Sequence, residues 1–163
     1  MFLQPGNLLA MIPIAIVVVA ALVAVAWILW PRQPKAYQPA EVQRAKKLFH
    51  LRREMLEAKF VKLASSTGKP RGLAWADCDF DDEVTLAKER SGRGLKALVS
   101  VTIQFEAIEG GGMEHNPNVA NLRAATALFY YHGQEWNTDG HTVFNLDPVQ
   151  TVQRFEHELE LVE

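Results

Sequence analysis

Residues 75–84 read WADCDFDDEV, four aspartates and a glutamate around the only cysteine of a 163-residue chain. Two chemistries suit such a cluster: an oxygen-ligand cation site and a thiol nucleophile. Asp77, Asp79 and Asp81 fall at the first, third and fifth positions of a calcium-loop pattern. The match then fails. Asp82 stands where the loop needs a glycine to turn, and Lys88 puts a cation where a bidentate glutamate belongs. A thiolate at Cys78 would sit among carboxylates, which raise a thiol's pKa and disfavour the reactive form. The alternation fits a strand better. Ala74, Ala76, Cys78 and Phe80 face one side, Trp75, Asp77 and Asp79 the other, and Asp81-Asp82 begin a turn.

The remaining candidates are weaker. None of His50, His115, His132, His141 and His157 has the spacing of a helical zinc pair. His132 and His141 fall on neighbouring strands of one hairpin, with Asp139 between them. Gly110-Gly111-Gly112 lacks the Lys-Ser/Thr of a phosphate loop, although residues 110–118 form a loop long enough to take part in binding. A single cysteine excludes an internal disulfide framework and a multi-thiolate zinc site. No catalytic, cofactor-binding or metal-ligating residue is assigned.

The elements that must position these residues begin with Leu8–Trp30, 23 residues without a charge. At ~1.5 Å per residue this segment spans a hydrocarbon layer of ~30 Å, and a helix satisfies its backbone in lipid. Residues 1–7 form a short tail before it. Trp27 and Trp30 take interfacial positions, followed by Arg32 and Lys35. Cations lie only on the C-terminal flank, so the N-terminus is expected outside and the remaining domain in the cytoplasm, at the cell membrane. The competing reading is a cleaved signal with Ala24-Val25-Ala26 as its site, which would export the domain.

Residues 31–39, PRQPKAYQP, form a stiff proline-rich linker to a soluble domain over 40–163. Residues 40–64 read as one helix with an apolar stripe of Ala45, Leu48, Phe49, Leu51, Met55, Leu56, Phe60 and Leu63. Lys46, His50, Arg53 and Glu57 fall on the opposite face. Arg44, Lys46, Lys47 and Arg53 are candidates for contact with anionic lipid. Residues 95–108 alternate as a long half-buried strand, its inner face formed by Leu95, Ala97, Val99, Val101, Ile103, Phe105 and Ala107. Its partner is Glu83–Arg90 across Ser91–Gly94. Ala124–His132 and Glu135–Leu146 make a hairpin around Gly133-Gln134, with a bulge or kink at Asp139-Gly140. Asp147-Pro148 starts a short closing helix with a stripe of Val149, Val152, Phe155 and Leu159.

The order predicts an α+β fold: one transmembrane helix, a long helix on an antiparallel meander of about five strands, then a short helix. Its outline is similar to the cystatin-like and NTF2-like rolls, a likeness of element order that carries no function. No alternation of strand and helix suggests a parallel sheet with a nucleotide crevice.

Charge divides along the chain, net +7 over Arg32–Lys69 and net −9 over Pro70–Glu163. The acidic part argues against a nucleic-acid partner. Tyr130, Tyr131 and Trp136 place aromatic rings on both faces of the last hairpin, and those left uncovered would make a partner surface. The expected function is a single-pass, membrane-anchored, non-enzymatic accessory domain that binds the bilayer and another protein. The alternative is a ligand-binding or catalytic roll with a pocket between helix and sheet, its inward polar groups drawn from Trp75, His141 or the 110–118 loop.

Overall fold

The computed structural model describes residues 37–67, 72–91 and 94–162. The expected membrane segment and its flanking Trp27, Trp30, Arg32 and Lys35 lie outside them. Among the described residues no helix is long and apolar enough to cross a membrane.

The fold is α+β. Helix α1 (Pro39–Thr67) is followed by strands β1 (Leu73–Glu89) and β2 (Leu95–Ala107) and a single 3-10 turn (Pro117–Ala120). Then come β3 (Arg123–His132), β4 (Glu135–Asn137), β5 (Thr142–Phe144), helix α2 (Pro148–Arg154) and β6 (Leu159–Leu161). The strands form one antiparallel sheet in the order β4-β3-β2-β1-β6, with β5 also paired to β3. Helix α1 covers one face. Its Val42, Ala45, Phe49, Leu56, Phe60 and Ala64 pack on Ala97, Val99, Val101, Ile103 and Phe105 of β2 and on Ala125, Ala127 and Phe129 of β3. Tyr37, inside the expected linker, already packs against this core. Helix α2 and β6 close a smaller apolar cluster on the other face, Ala87, Leu98, Val152 and Leu159.

The alternation of β2 is realised as read. Leu95, Ala97, Val99, Val101, Ile103 and Phe105 are all buried on the α1 side. Gly133 and Gln134 both have positive φ, 57° and 71°, as a two-residue hairpin turn matching strand twist requires. Asp147 caps α2 by accepting from the Gln150 N–H, with Pro148 in the first turn.

Four expectations need correction. The stretches read as two strands, Leu73–Phe80 and Glu83–Arg90, are one 17-residue strand, because Asp81-Asp82 form a bulge instead of a turn. The stretch Glu135–Leu146 is split at residues 138–141 into β4 and β5, both still paired to β3. The closing helix stops at Arg154. Leu159 belongs to β6, and Val149 and Phe155 are exposed, so only Val152 and Leu159 of the expected stripe reach the core. The sheet therefore has six strands where about five were expected.

The fourth correction concerns the rotation of α1. Leu51 and Met55, expected in the apolar stripe, are 80% and 62% exposed. Arg53, expected on the outer face, is instead half-buried at the edge of the core. The helix is turned toward its basic side because Arg53 finds partners there, as set out below.

Gly140 fixes the far end of α1. Its φ is +80°, and a Cβ added there would lie 2.5 Å from the Ala64 amide nitrogen. Gly110 has a similar φ of +76° but open space around it. Urea denaturation should separate the two effects. Gly110→Ala should cost about 1–2 kcal/mol for the left-handed backbone alone. Gly140→Ala should cost about 2–4 kcal/mol, since the helix must also move.

Candidate interaction surface

The acidic stretch is a docking point for α1. In β1, Trp75 pairs with Phe105 but Asp77 with Gln104, so Ala76 is an extra residue that reverses the alternation. Trp75, Cys78 and Phe80 thereby share the core face, and Ala76, Asp77 and Asp79 are exposed. This corrects the expectation that Ala76 faces inward and Trp75 outward. A second irregularity sets the three residues Asp81–Glu83 against one, since Phe80 pairs with Val101 and Val84 with Val99. Parity survives it, and Val84 and Leu86 stay on the core side.

Such a bulge leaves ladder carbonyls without strand partners. The Arg53 guanidinium takes them. Nη1 donates to the Asp82 carbonyl at 2.7 Å and Nη2 to the Asp81 carbonyl, while Nε donates to Glu57 Oε1 at 2.6 Å. The fork geometry and the nearby Glu57 carboxylate let this cation sit with its side chain only 15% exposed. Arg53 is thus a structural clamp, not a lipid-facing residue.

Cys78 is half-buried on the same strand. Burial, with the Asp77 charge adding to it, pushes its thiol up to about 11. At neutral pH it is a protonated packing group.

The aromatic hairpin is mostly interior. Trp136 is 5% exposed and its Nε1 donates to the Ala45 carbonyl at 2.7 Å. Phe49 stands edge-on to Trp136 and to Phe129, with centroids 5.1 and 5.2 Å away. Tyr131 is also buried. Two of the three residues expected to form a partner surface are therefore covered by α1. Only Tyr130 stands on the other sheet face, under Lys96, whose Nζ lies 5.6 Å from the ring centroid. Its hydroxyl donates to Asp139, and burial together with that carboxylate raises the phenol's pKa. Tyr130 is thus a hydrogen-bond donor to Asp139.

Asp139 is thus occupied by Tyr130 and by the His141 N–H, while His132 pairs across the strands with Glu135. Among the described residues no three His, Cys, Asp or Glu side chains converge on a cation position. In the glycine loop, the nearby backbone N–H groups, that of Glu114 itself first, shift the exposed Glu114 carboxylate below its ordinary range. The Gly111 N–H is itself committed to the Ile108 carbonyl at 2.8 Å. A groove of about 660 Å³ between α2 and β6 is lined by Lys88, Arg90 and Glu160, already in mutual ion pairs of 3.6 and 3.9 Å.

Two surfaces stand out among the described residues. The outward band of α1 carries Arg44, Lys47, Leu51, Met55, Ala58 and Lys62, all exposed at helical spacing. Lys46, also exposed, sits on the flank beside Arg53. The second surface is the half of the other sheet face that α2 leaves open, where Asp77, Asp79, Gln104 and Glu106 are exposed. Sequence periodicity missed the first because it gave Leu51 and Met55 to the core. A stripe too broad for one buried face was the available signal.

Two outcomes test this account. Replacing Arg53 by Met should lower the unfolding free energy by about 1.5–3 kcal/mol, measured in urea. Arg53→Lys should recover little of it, since an ammonium cannot fork to two carbonyls and a carboxylate. For Cys78, ionisation is favoured in the unfolded chain above its ordinary pKa near 9 and opposed in the native state up to about 11. Native stability should therefore fall as pH rises between these values, and the alkylation rate should keep climbing through pH 9 without a plateau.

No family model, no curated protein and no solved structure matches this chain.

Proposed function

We propose that this chain is a single-pass membrane-anchored, non-enzymatic accessory domain that binds another protein. In this reading Leu8–Trp30 is the anchor, Trp27 and Trp30 stand at the interface, and Arg32 and Lys35 mark the cytoplasmic side. The observation that carries it is the space between α1 and the sheet. Phe49, Phe60 and Phe129 fill it at 0% exposure, with Trp136 and Phe105 sealing the sides. What the domain offers a partner is its outside, and there charge is sorted by face. The acidic half-sheet of Asp77, Asp79, Gln104 and Glu106 suits a basic protein surface.

One observation favours the ligand-binding roll as a second reading. Trp75 Nε1 is buried and has no acceptor among the described residues. A buried donor left unpaired costs about 1–3 kcal/mol, which a bound acceptor would relieve.

Recovery of the tagged full-length chain from its own membranes in mild detergent separates the two. A stoichiometric protein companion is expected, resistant to mild salt and reduced about tenfold by combined Asp77→Lys and Asp79→Lys. A chain recovered alone, or with a small molecule retained, would overturn the accessory reading in favour of the roll.

A further inference from the structure

The outward band of α1 combines three features that its core role does not explain. Leu51 and Met55 are the most exposed large apolar residues of the helix, at 80% and 62%. Arg44 and Lys47 lie on the band two turns and one turn before Leu51, and Lys62 two turns after Met55. One acidic residue, the exposed Glu54, lies at the band's margin two turns after Lys47, against the three cations Arg44, Lys47 and Lys62, and among the described residues none of these three cations is in an ion pair. Neighbouring helix cations are engaged elsewhere: Arg52 with Glu135, Arg53 with the bulge, Lys59 with Asn137.

We propose that this band seats on an anionic bilayer surface, with Leu51 and Met55 entering the headgroup boundary and Arg44, Lys47 and Lys62 at lipid phosphates. The inference rests on the membrane-anchored reading above and adds how the domain is oriented.

Charge selects the occupant. The sheet face opposite α1 exposes Asp77, Asp79 and Glu106, so a negative surface repels that face and attracts the cations of the helix band. A second copy of the chain is a poorer fit. An isologous pairing of the band would bring like cations together around two apolar residues. The band is also a single convex helix face with apolar residues in the middle and cations toward both ends, the form of an interfacial helix. Only residues 31–38 separate the apolar Leu8–Trp30 from the start of α1, a reach of at most about 30 Å.

The test uses the full chain with Cys78→Ala and Met55→Cys, labelled at position 55 with an environment-sensitive fluorophore. It is mixed into phosphatidylcholine vesicles with or without phosphatidylglycerol, each doped with headgroup-nitroxide lipid. A label at Gln104→Cys is the control. Quenching at position 55 that requires phosphatidylglycerol, weakens in high salt and spares position 104 is the expected result. Arg44→Glu with Lys47→Glu should lower the seated-to-unseated ratio about thirtyfold or more.

A chain that floats with the vesicles while position 55 stays unquenched overturns the seat and leaves the anchor standing. Quenching on phosphatidylglycerol vesicles without flotation on pure phosphatidylcholine supports the seat and removes the anchor. Concentration-dependent shielding of position 55 without nitroxide quenching overturns the seat in favour of a second copy.

Discussion

The Arg53 fork onto the β1 bulge is the interaction on which the rest of this domain turns. A strand of 17 residues cannot place Trp75, Cys78, Phe80, Val84 and Leu86 on one face by simple alternation, because Trp75 has the wrong parity. Ala76 corrects that parity, and Asp81–Glu83 absorb the strand's remaining excess over β2. The second irregularity frees two carbonyls, and a cation on the helix takes them. Register of the sheet and rotation of the helix are thus set at the same place.

Everything on the helix follows from that rotation. With Arg53 at the edge of the core, Phe49 meets Phe129 and Trp136, and Phe60 meets Phe80 and Phe129 with centroids 5.7 Å apart. The Trp136 indole completes the seat by bonding to the Ala45 carbonyl, and Gly140 lets the loop before β5 approach the helix backbone at Ala64. The same rotation turns Leu51 and Met55 outward. Closing the core and creating the exposed apolar band are one event.

The acidic stretch takes its meaning from the same geometry. Beyond Ala87–Glu89, which pair with β6, the described structure shows no strand on the outer edge of β1. An open edge with unpaired amides is a template for association, and charged side chains and bulges blunt it. Asp77, Asp79, Asp81 and Asp82, with irregularities at Ala76 and Asp81–Glu83, supply both. The cluster that looks like a site to bind a cation is an edge protected from other strands and a seat for one arginine.

The sequence by itself determined the α+β class, the long helix, the buried face of β2, the Gly133-Gln134 turn and the capped start of α2. Each depends on a local period or on a residue's own backbone preference, which neighbours in the chain suffice to express. It also showed that Cys78 lies in surroundings that suppress a thiolate. It did not show the parity change at Ala76, the merging of two strands through Asp81-Asp82, or the division of Glu135–Leu146, because a bulge is decided by what the opposing strand requires. Nor did it show that Tyr131 and Trp136 are covered while Leu51 and Met55 are bare. Helical period allowed a stripe centred on either side of Phe49. Only tertiary contact chose between them, because a charged residue can flank a core when two backbone carbonyls and a carboxylate wait for it there.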